Sequence, residues 1–190
     1  MADAGRVIAG TARGIRLAAP GEGTRPIGDR VKQTLFAILD PDLRDARVLD
    51  LFAGSGAAGI EALSRGAAFA VFVERDVGAA KVIAANLERA RLAGPDARIV
   101  RAEALAWLAG PGPSTTGPFD IVIADPPYDD PGTLVRSLEA LDPHLAPGAR
   151  VVAKHSWRDP PPATIGLLAS ERERRFGETA LTFYRRQEAR

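Results

Sequence analysis

Two short stretches of this sequence carry residue types at spacings that suit chemistry. The first is Gly54-Ser55-Gly56-Ala57-Ala58-Gly59, which satisfies G-x-G-x-x-G between an apolar run, Arg47 to Phe52, and a helical pattern. Glycines there let backbone N–H groups close on a ligand, and the helix that follows turns its positive end toward the same point. Gly59 has a duller use as well, since close packing of helix on strand would suffice to require it. Asp50 precedes the turn. Glu74 stands about 20 positions on, at the end of a second apolar run, where a carboxylate can accept hydrogen bonds from a ribose diol. Glu103, with Ala104 beside it, follows a third run; its carboxylate could accept from an adenine amino group or could simply favour the first turn of a helix. The turn alone admits both an NAD(P) oxidoreductase and a methyltransferase holding S-adenosylmethionine.

The second stretch is Asp125-Pro126-Pro127-Tyr128, directly after the apolar run Phe119 to Ala124. Two prolines cannot continue a central strand, and they hold a carbonyl and a side chain in one orientation. An oxidoreductase offers these four residues no role.

For the two stretches to meet, the elements around them must bring strand ends together. Ligands in an open α/β sheet sit at the carboxyl ends of the strands, near the point where strand order reverses. The sequence alternates accordingly, with strands at 47–52, 69–74, 98–101 and 119–124 and a further one from Arg150 to Ser156. Helices pass through Ile60 and Leu63, through Ala80, Ile83 and Leu87, near Leu105 and Leu108, and over 134–141. Near-continuous apolar strands imply a mostly parallel, Rossmann-like α/β sheet covered on both faces. Residues 167–176 and 178–185 read as an antiparallel C-terminal strand pair turning at Phe176-Gly177-Glu178. At the other end, 6–9 and 14–18 read as a small β-hairpin appendage. Asp29 reads as the N-cap of a helix with Val31, Leu35, Ile38 and Leu39 on one face. Residues 110–118 read as a loop.

Composition narrows the field. At 190 residues, 46% apolar and 26% charged, the chain fits one domain with a small appendage, and a second substrate domain of dehydrogenase type has no room. No cysteines and two histidines exclude disulfides, thiolate metal sites and a cysteine nucleophile, and no metal is expected. No apolar run approaches the ~20 residues of a membrane span, and the opening residues lack the long apolar core of a signal peptide, so a cytoplasmic protein is expected. The net charge is +1, yet Arg6, Arg13, Arg16, Arg25, Arg30 and Lys32 face only Asp3, Glu22 and Asp29 in the first stretch of chain. Such a bias is either a solvated basic face or a nucleic-acid contact.

The blocks "RVIAGTARGIRL", "TRPIGDRVKQTLF", "LDLFAGSGAAGIEALSRGA" and "ADPPY", in that order, resemble the bacterial small-subunit (16S) ribosomal RNA guanine-N2 methyltransferases of the RsmD family. The glycine turn is shared by many methyltransferases; the "TRP..DRV...LF" block with "DPPY" is far more specific. The chain departs from the family pattern at Ile27-Gly28, where hydroxyl residues are common, and at Ala9, where glycine is frequent. The resemblance implies S-adenosylmethionine as cofactor, held by Asp50, Gly54, Ser55, Gly56, Glu74, Glu103 and Ala104. It implies ribosomal RNA as partner, in a small-subunit or assembly particle, met by Arg13, Arg16, Arg25, Arg30 and Lys32. Residues 1–28 would be the RNA-contact appendage and 29–190 the methyltransferase domain, acting as a monomer. Asp125, Pro126, Pro127 and Tyr128 would be catalytic: Asp125 and the Pro126 carbonyl accept the amino protons, and Tyr128 stacks on a base that is unpaired or flipped out. An adenine-N6 methyltransferase would use the same tetrapeptide, but usually carries a sizeable target-recognition region.

Overall fold

A computed structural model of the chain describes residues 3–21, 27–127 and 130–188. Tyr128 and Arg25 lie outside them. The elements are β1 (Asp3–Arg6), β2 (Arg16–Ala18), α1 (Asp29–Leu43), β3 (Arg47–Leu51), α2 (Ala57–Ser64), β4 (Phe69–Glu74), α3 (Val77–Ala90) and β5 (Ala97–Arg101). There follow α4 (Ala104–Ala109), α5 (Gly112–Thr116), β6 (Phe119–Ala124), α6 (Pro131–Leu141), β7 (Leu145–Ser156), β8 (Thr164–Ile165), β9 (Leu168–Phe176) and β10 (Thr179–Arg186). Strands β3 to β10 form one sheet in the order β5-β4-β3-β6-β7-β10-β9-β8, parallel from β5 through β7 and antiparallel beyond. The order reverses between β3 and β6, whose ends carry the two stretches singled out above.

Alternation along the central strands sends side chains to both faces, which is why these strands read as unbroken apolar runs. Val48, Phe72, Ile121 and Val152 pack against Leu35, Phe36 and Leu39 of α1, Ile60 of α2 and Ile83 and Leu87 of α3. Leu49, Leu51, Val71, Val122 and Val151 pack on the other face against Trp107 of α4 and Leu138 of α6. Each such side chain, fully buried, contributes about 1.5–3 kcal/mol, so packing on both faces holds the sheet that positions the strand ends. No helix among the described residues is long and apolar enough to cross a membrane.

The first strand of the hairpin lies three residues earlier than the sequence pattern suggests, while the second falls within its expected span and ends at Ala18 as expected. The first strand ends at Arg6 because Ile8 and Ala9, expected within it, donate their N–H groups to Glu61 of α2 at 2.7 and 3.0 Å. Ser64 of α2 continues the seam, donating to the Ala9 carbonyl at 2.6 Å and accepting from the Ala12 N–H at 2.9 Å. Ala4, Val7, Ala12 and Leu17 share the core of α1 and α2. Asp29 is not the N-cap of α1: Gly28 holds that place, and the Asp29 carboxylate turns to Arg6 at 3.5 Å and Lys32 at 3.9 Å. Residues 112–116, read as loop, form the short helix α5, steadied by Thr116 Oγ1 on the Gly112 carbonyl at 3.0 Å.

Candidate active site

The carboxyl ends of β3, β4 and β6 are knitted together by backbone: Ala53 N–H to the Val73 carbonyl at 3.0 Å and Asp125 N–H to the Leu51 carbonyl at 3.3 Å. They open onto a cavity of about 730 Å³ lined by Asp50, Gly54, Ser55, Glu74, Glu103 and Ala104 on one side and by Asp125, Pro126, Pro127 and Lys154 on the other. Residues Pro20, Gly21 and Ile27, leaving the hairpin, form part of its wall. The glycine turn and the Asp-Pro-Pro loop therefore share one space. A second depression, of about 690 Å³, lies over α1 and β9 and is lined by Arg150, Arg172, Arg174 and Phe183, with none of those groups in it.

In the half under β3, β4 and β5, carboxylates are answered by backbone N–H groups. Asp50 is 3% exposed and accepts from Gly59 N–H at 2.9 Å. Burial in a low-dielectric site disfavours its charge, and the nearby Asp125 and Glu74 carboxylates add to this, so its pKa is pushed up to about 7. Glu74 accepts from Gly54 N–H and Asp76 N–H, both at 2.8 Å, holding the turn against the end of β4. Glu103 is the N-cap of α4, accepting from Ala106 N–H at 2.7 Å, so its helix role is explicit while it also borders the cavity. Gly56 adopts φ 75°, open to glycine at little cost. Gly59 does what helix-on-strand packing asks: a Cβ there would lie 2.3 Å from Phe72 Cε1.

In the half under β6 and β7, Asp125 meets a cation instead. Lys154 Nζ lies 2.6 Å from Asp125 Oδ1, with the two side chains 11% and 20% exposed. Burial raises the Asp125 pKa, and the lysine offsets part of that rise through its charge and hydrogen bond. Sequence patterning passed Lys154 over; the available signal was a lone charge at the end of the apolar run Val151-Val152-Ala153, opposite the end of β6, where Ala124 pairs with Ala153. It also passed over Asn86, fully buried on α3. Its Nδ2 donates to the Ala18 and Ser55 carbonyls and its Oδ1 accepts from Ala18 N–H, all at 2.9 Å. One side chain thus ties the hairpin to the glycine turn.

Among the described residues, the basic side chains of the first stretch of chain do not line the cavity. Arg13, Arg16 and Arg30 are exposed, with Arg16 2.8 Å from Asp3. Lys32 must be withdrawn from any RNA-facing set. It is 0% exposed and donates to the Arg6 carbonyl at 2.5 Å, and burial lowers its pKa despite Glu61 and Asp29 nearby.

A mostly parallel sheet with a glycine turn and an Asp-Pro-Pro loop at the two strand ends flanking its switch point defines a Rossmann-like methyltransferase. The fold is shared with a solved RNA methyltransferase of Salinibacter ruber in complex with S-adenosyl-L-homocysteine, at TM-score 0.66 and 18% identity over 87% of this chain and 95% of that one. More narrowly, the chain belongs to the family described as "Conserved hypothetical protein 95", whose profile matches residues 5–185. Ribosomal RNA small subunit methyltransferase D of Escherichia coli K12 is 37% identical over 185 residues, 96% of this chain and 90% of that protein. The solved structure of the Escherichia coli protein yhhF superposes at TM-score 0.83 with 36% identity, covering 96% of this chain and 97% of that one. With this family, the NAD(P) reading of the glycine turn is set aside.

Proposed function

We propose that the chain transfers the methyl group of S-adenosylmethionine to the exocyclic N2 of a guanine in small-subunit ribosomal RNA, as a cytoplasmic enzyme acting on the subunit or an assembly intermediate. The observation that carries this reading is Asp125-Pro126-Pro127 opening onto the same cavity as the glycine turn. It is supported by the relative named as a small-subunit ribosomal RNA methyltransferase.

The donors and acceptors present suit the cofactor. Glu74, fixed by two backbone N–H groups, keeps lone pairs for a ribose diol, and Asp50, buried and accepting from the Gly59 N–H, favours a cationic neighbour. Gly54, Ser55 and Gly56 leave backbone open to close approach, and Glu103 and Ala104 border the far end. When bound, S-adenosylmethionine supplies an electrophilic methyl group. The guanine amino lone pair is delocalised into the ring and is a poor nucleophile. Asp125 and the Pro126 carbonyl each accept one N–H, holding the amino group and favouring the pyramidal form whose lone pair faces the incoming carbon. Such positioning contributes on the order of several kcal/mol. Loss of an amino proton follows, to Asp125 or to solvent; burial, which raises the affinity of Asp125 for a proton, suits it to receive one. Tyr128 stacks on the flipped base, and Arg13, Arg16, Arg25 and Arg30 meet phosphates, with residues 1–28 as the RNA-contact appendage of the 29–190 methyltransferase domain.

Mass mapping of ribosomal RNA modifications in a strain lacking this protein tests the reading. One N2-methylguanine in small-subunit RNA should vanish and return with the wild-type gene. An unchanged modification map, or loss of an N6-methyladenine instead, would overturn it.

A further inference from the structure

The Asp125–Lys154 pair lines the target half of the cavity and offers two acceptor oxygens beside one donor nitrogen. Asp125 Oδ2 and Oδ1 accept only, and Lys154 Nζ, 2.6 Å from Oδ1, donates. The separations are those of neighbouring heteroatoms on the edge of a base. Guanine carries the matching sequence on its pairing edge: the N2 amino donor, the N1–H donor and the O6 acceptor. Adenine and cytosine each offer an amino donor next to a ring-nitrogen acceptor, so they can engage one carboxylate oxygen and the ammonium but leave the second oxygen unanswered.

We propose that Lys154 is a base-selecting residue, donating to guanine O6 while Asp125 takes N1–H and one N2–H. This rests on the guanine-N2 reading above and extends it to how the target is chosen. A flipped base is read through hydrogen bonds on its pairing edge. The ammonium has three protons, so it serves Asp125 and O6 together. Both side chains are largely buried, so a base whose edge does not complement the pair leaves a desolvated carboxylate oxygen without a new donor, which is where hydrogen bonds discriminate most strongly. Pro126, buried beside them, limits how far the carboxylate can turn to suit another edge.

The test crosses enzyme with base. Small-subunit RNA is prepared by splint ligation with guanine or 2-aminopurine at the methylated nucleotide and assembled into particles. 2-Aminopurine keeps the N2 amino group but lacks both O6 and the N1 proton, and comparing Lys154→Met with Lys154→Gln, which meet the same altered edge, isolates the donor at residue 154. Single-turnover transfer is then measured for wild type, Lys154→Met and Lys154→Gln. The wild-type preference for guanine over 2-aminopurine should fall about 10- to 100-fold in Lys154→Met and persist in Lys154→Gln, whose amide still donates. If Lys154→Met slows both bases by one factor, the lysine merely supports Asp125 and the proposal is overturned. If Lys154→Met is inactive on both, Lys154→Gln decides: a variant that has lost the preference contradicts the assignment. A wild-type enzyme that leaves guanine unmethylated in the particle refutes the guanine-N2 reading itself, a separate outcome.

Discussion

The two halves of the cleft solve the same electrostatic problem differently. Under β3 and β4, the buried or half-buried carboxylates of Asp50 and Glu74 are met by N–H groups of Gly59, Gly54 and Asp76, which belong to the backbone. Under β6 and β7, Asp125 is met by the side-chain charge of Lys154. Backbone dipoles cannot be lost by substitution of their own side chains, and they move only if the turn moves. A side-chain cation can be exchanged, and it can share its protons with a third partner. The first half is thus built as a fixed mould and the second as a hydrogen-bonding edge, which suits a constant cofactor on one side and a selected base on the other.

If the first half is a mould made by close backbone packing, filling it should do more harm than stripping it. Gly59→Val places a branched side chain where even a Cβ would lie 2.3 Å from Phe72 Cε1, and it pushes the Asp50 donor away. Overpacking of this kind costs about 1–3 kcal/mol or more, read as a lowered denaturation midpoint; a variant as stable as wild type would show the packing to be slack. Next in size, Glu74→Ala removes an anchor of the turn and the proposed ribose acceptor together. S-adenosylmethionine affinity should fall by about 1–3 kcal/mol in calorimetry, with transfer at saturating cofactor much less affected. Unchanged affinity would make Glu74 a purely structural carboxylate.

Asp50 sharpens the comparison through pH. Its folded pKa of about 7 lies above the ordinary 3.8, so between those values the native state holds more protons than the unfolded one and stability declines as pH rises. Asp50→Asn should flatten that decline in denaturant titrations across the same window, and an identical slope in the variant would mean that Asp50 does not titrate there. A cationic ligand beside Asp50 would also draw it into its charged form, so cofactor binding near neutral pH should release a proton that the variant does not. Smallest is the effect outside the cleft. Arg13→Ala or Arg16→Ala should reduce the salt slope of RNA binding by about one unit each, with little change in rate at saturating RNA.

The comparison also explains what the sequence made legible. Strand β6 and its Asp-Pro-Pro ending could be read because a buried parallel strand is an unbroken apolar run and a proline pair stops it. The glycine turn and Glu74 were legible for the same reason, as punctuation after apolar strands. Lys154 was not, because its role depends on β7 lying beside β6, a pairing no local pattern announces. The displacement of β1 has its cause on the neighbouring helices: Glu61, Ser64 and Asn86 on α2 and α3 claim the hairpin's backbone, and Lys32 is buried donating to the Arg6 carbonyl, so a segment that reads as a basic arm is welded at its base to the sheet. Short helix α5 escaped notice because its glycine, proline, serine and threonine residues carry weak helix propensity.

The central claim is that the Asp125 carboxylate acts on the amino group and not merely on the fold. Single-turnover methyl transfer by Asp125→Ala, at saturating RNA and S-adenosylmethionine and with RNA affinity measured in parallel, tests it most directly. The account predicts a rate reduced about a hundredfold or more with RNA binding largely retained. An Asp125→Ala enzyme that keeps its full rate would contradict it and leave Asp-Pro-Pro as a turn that only closes the cavity.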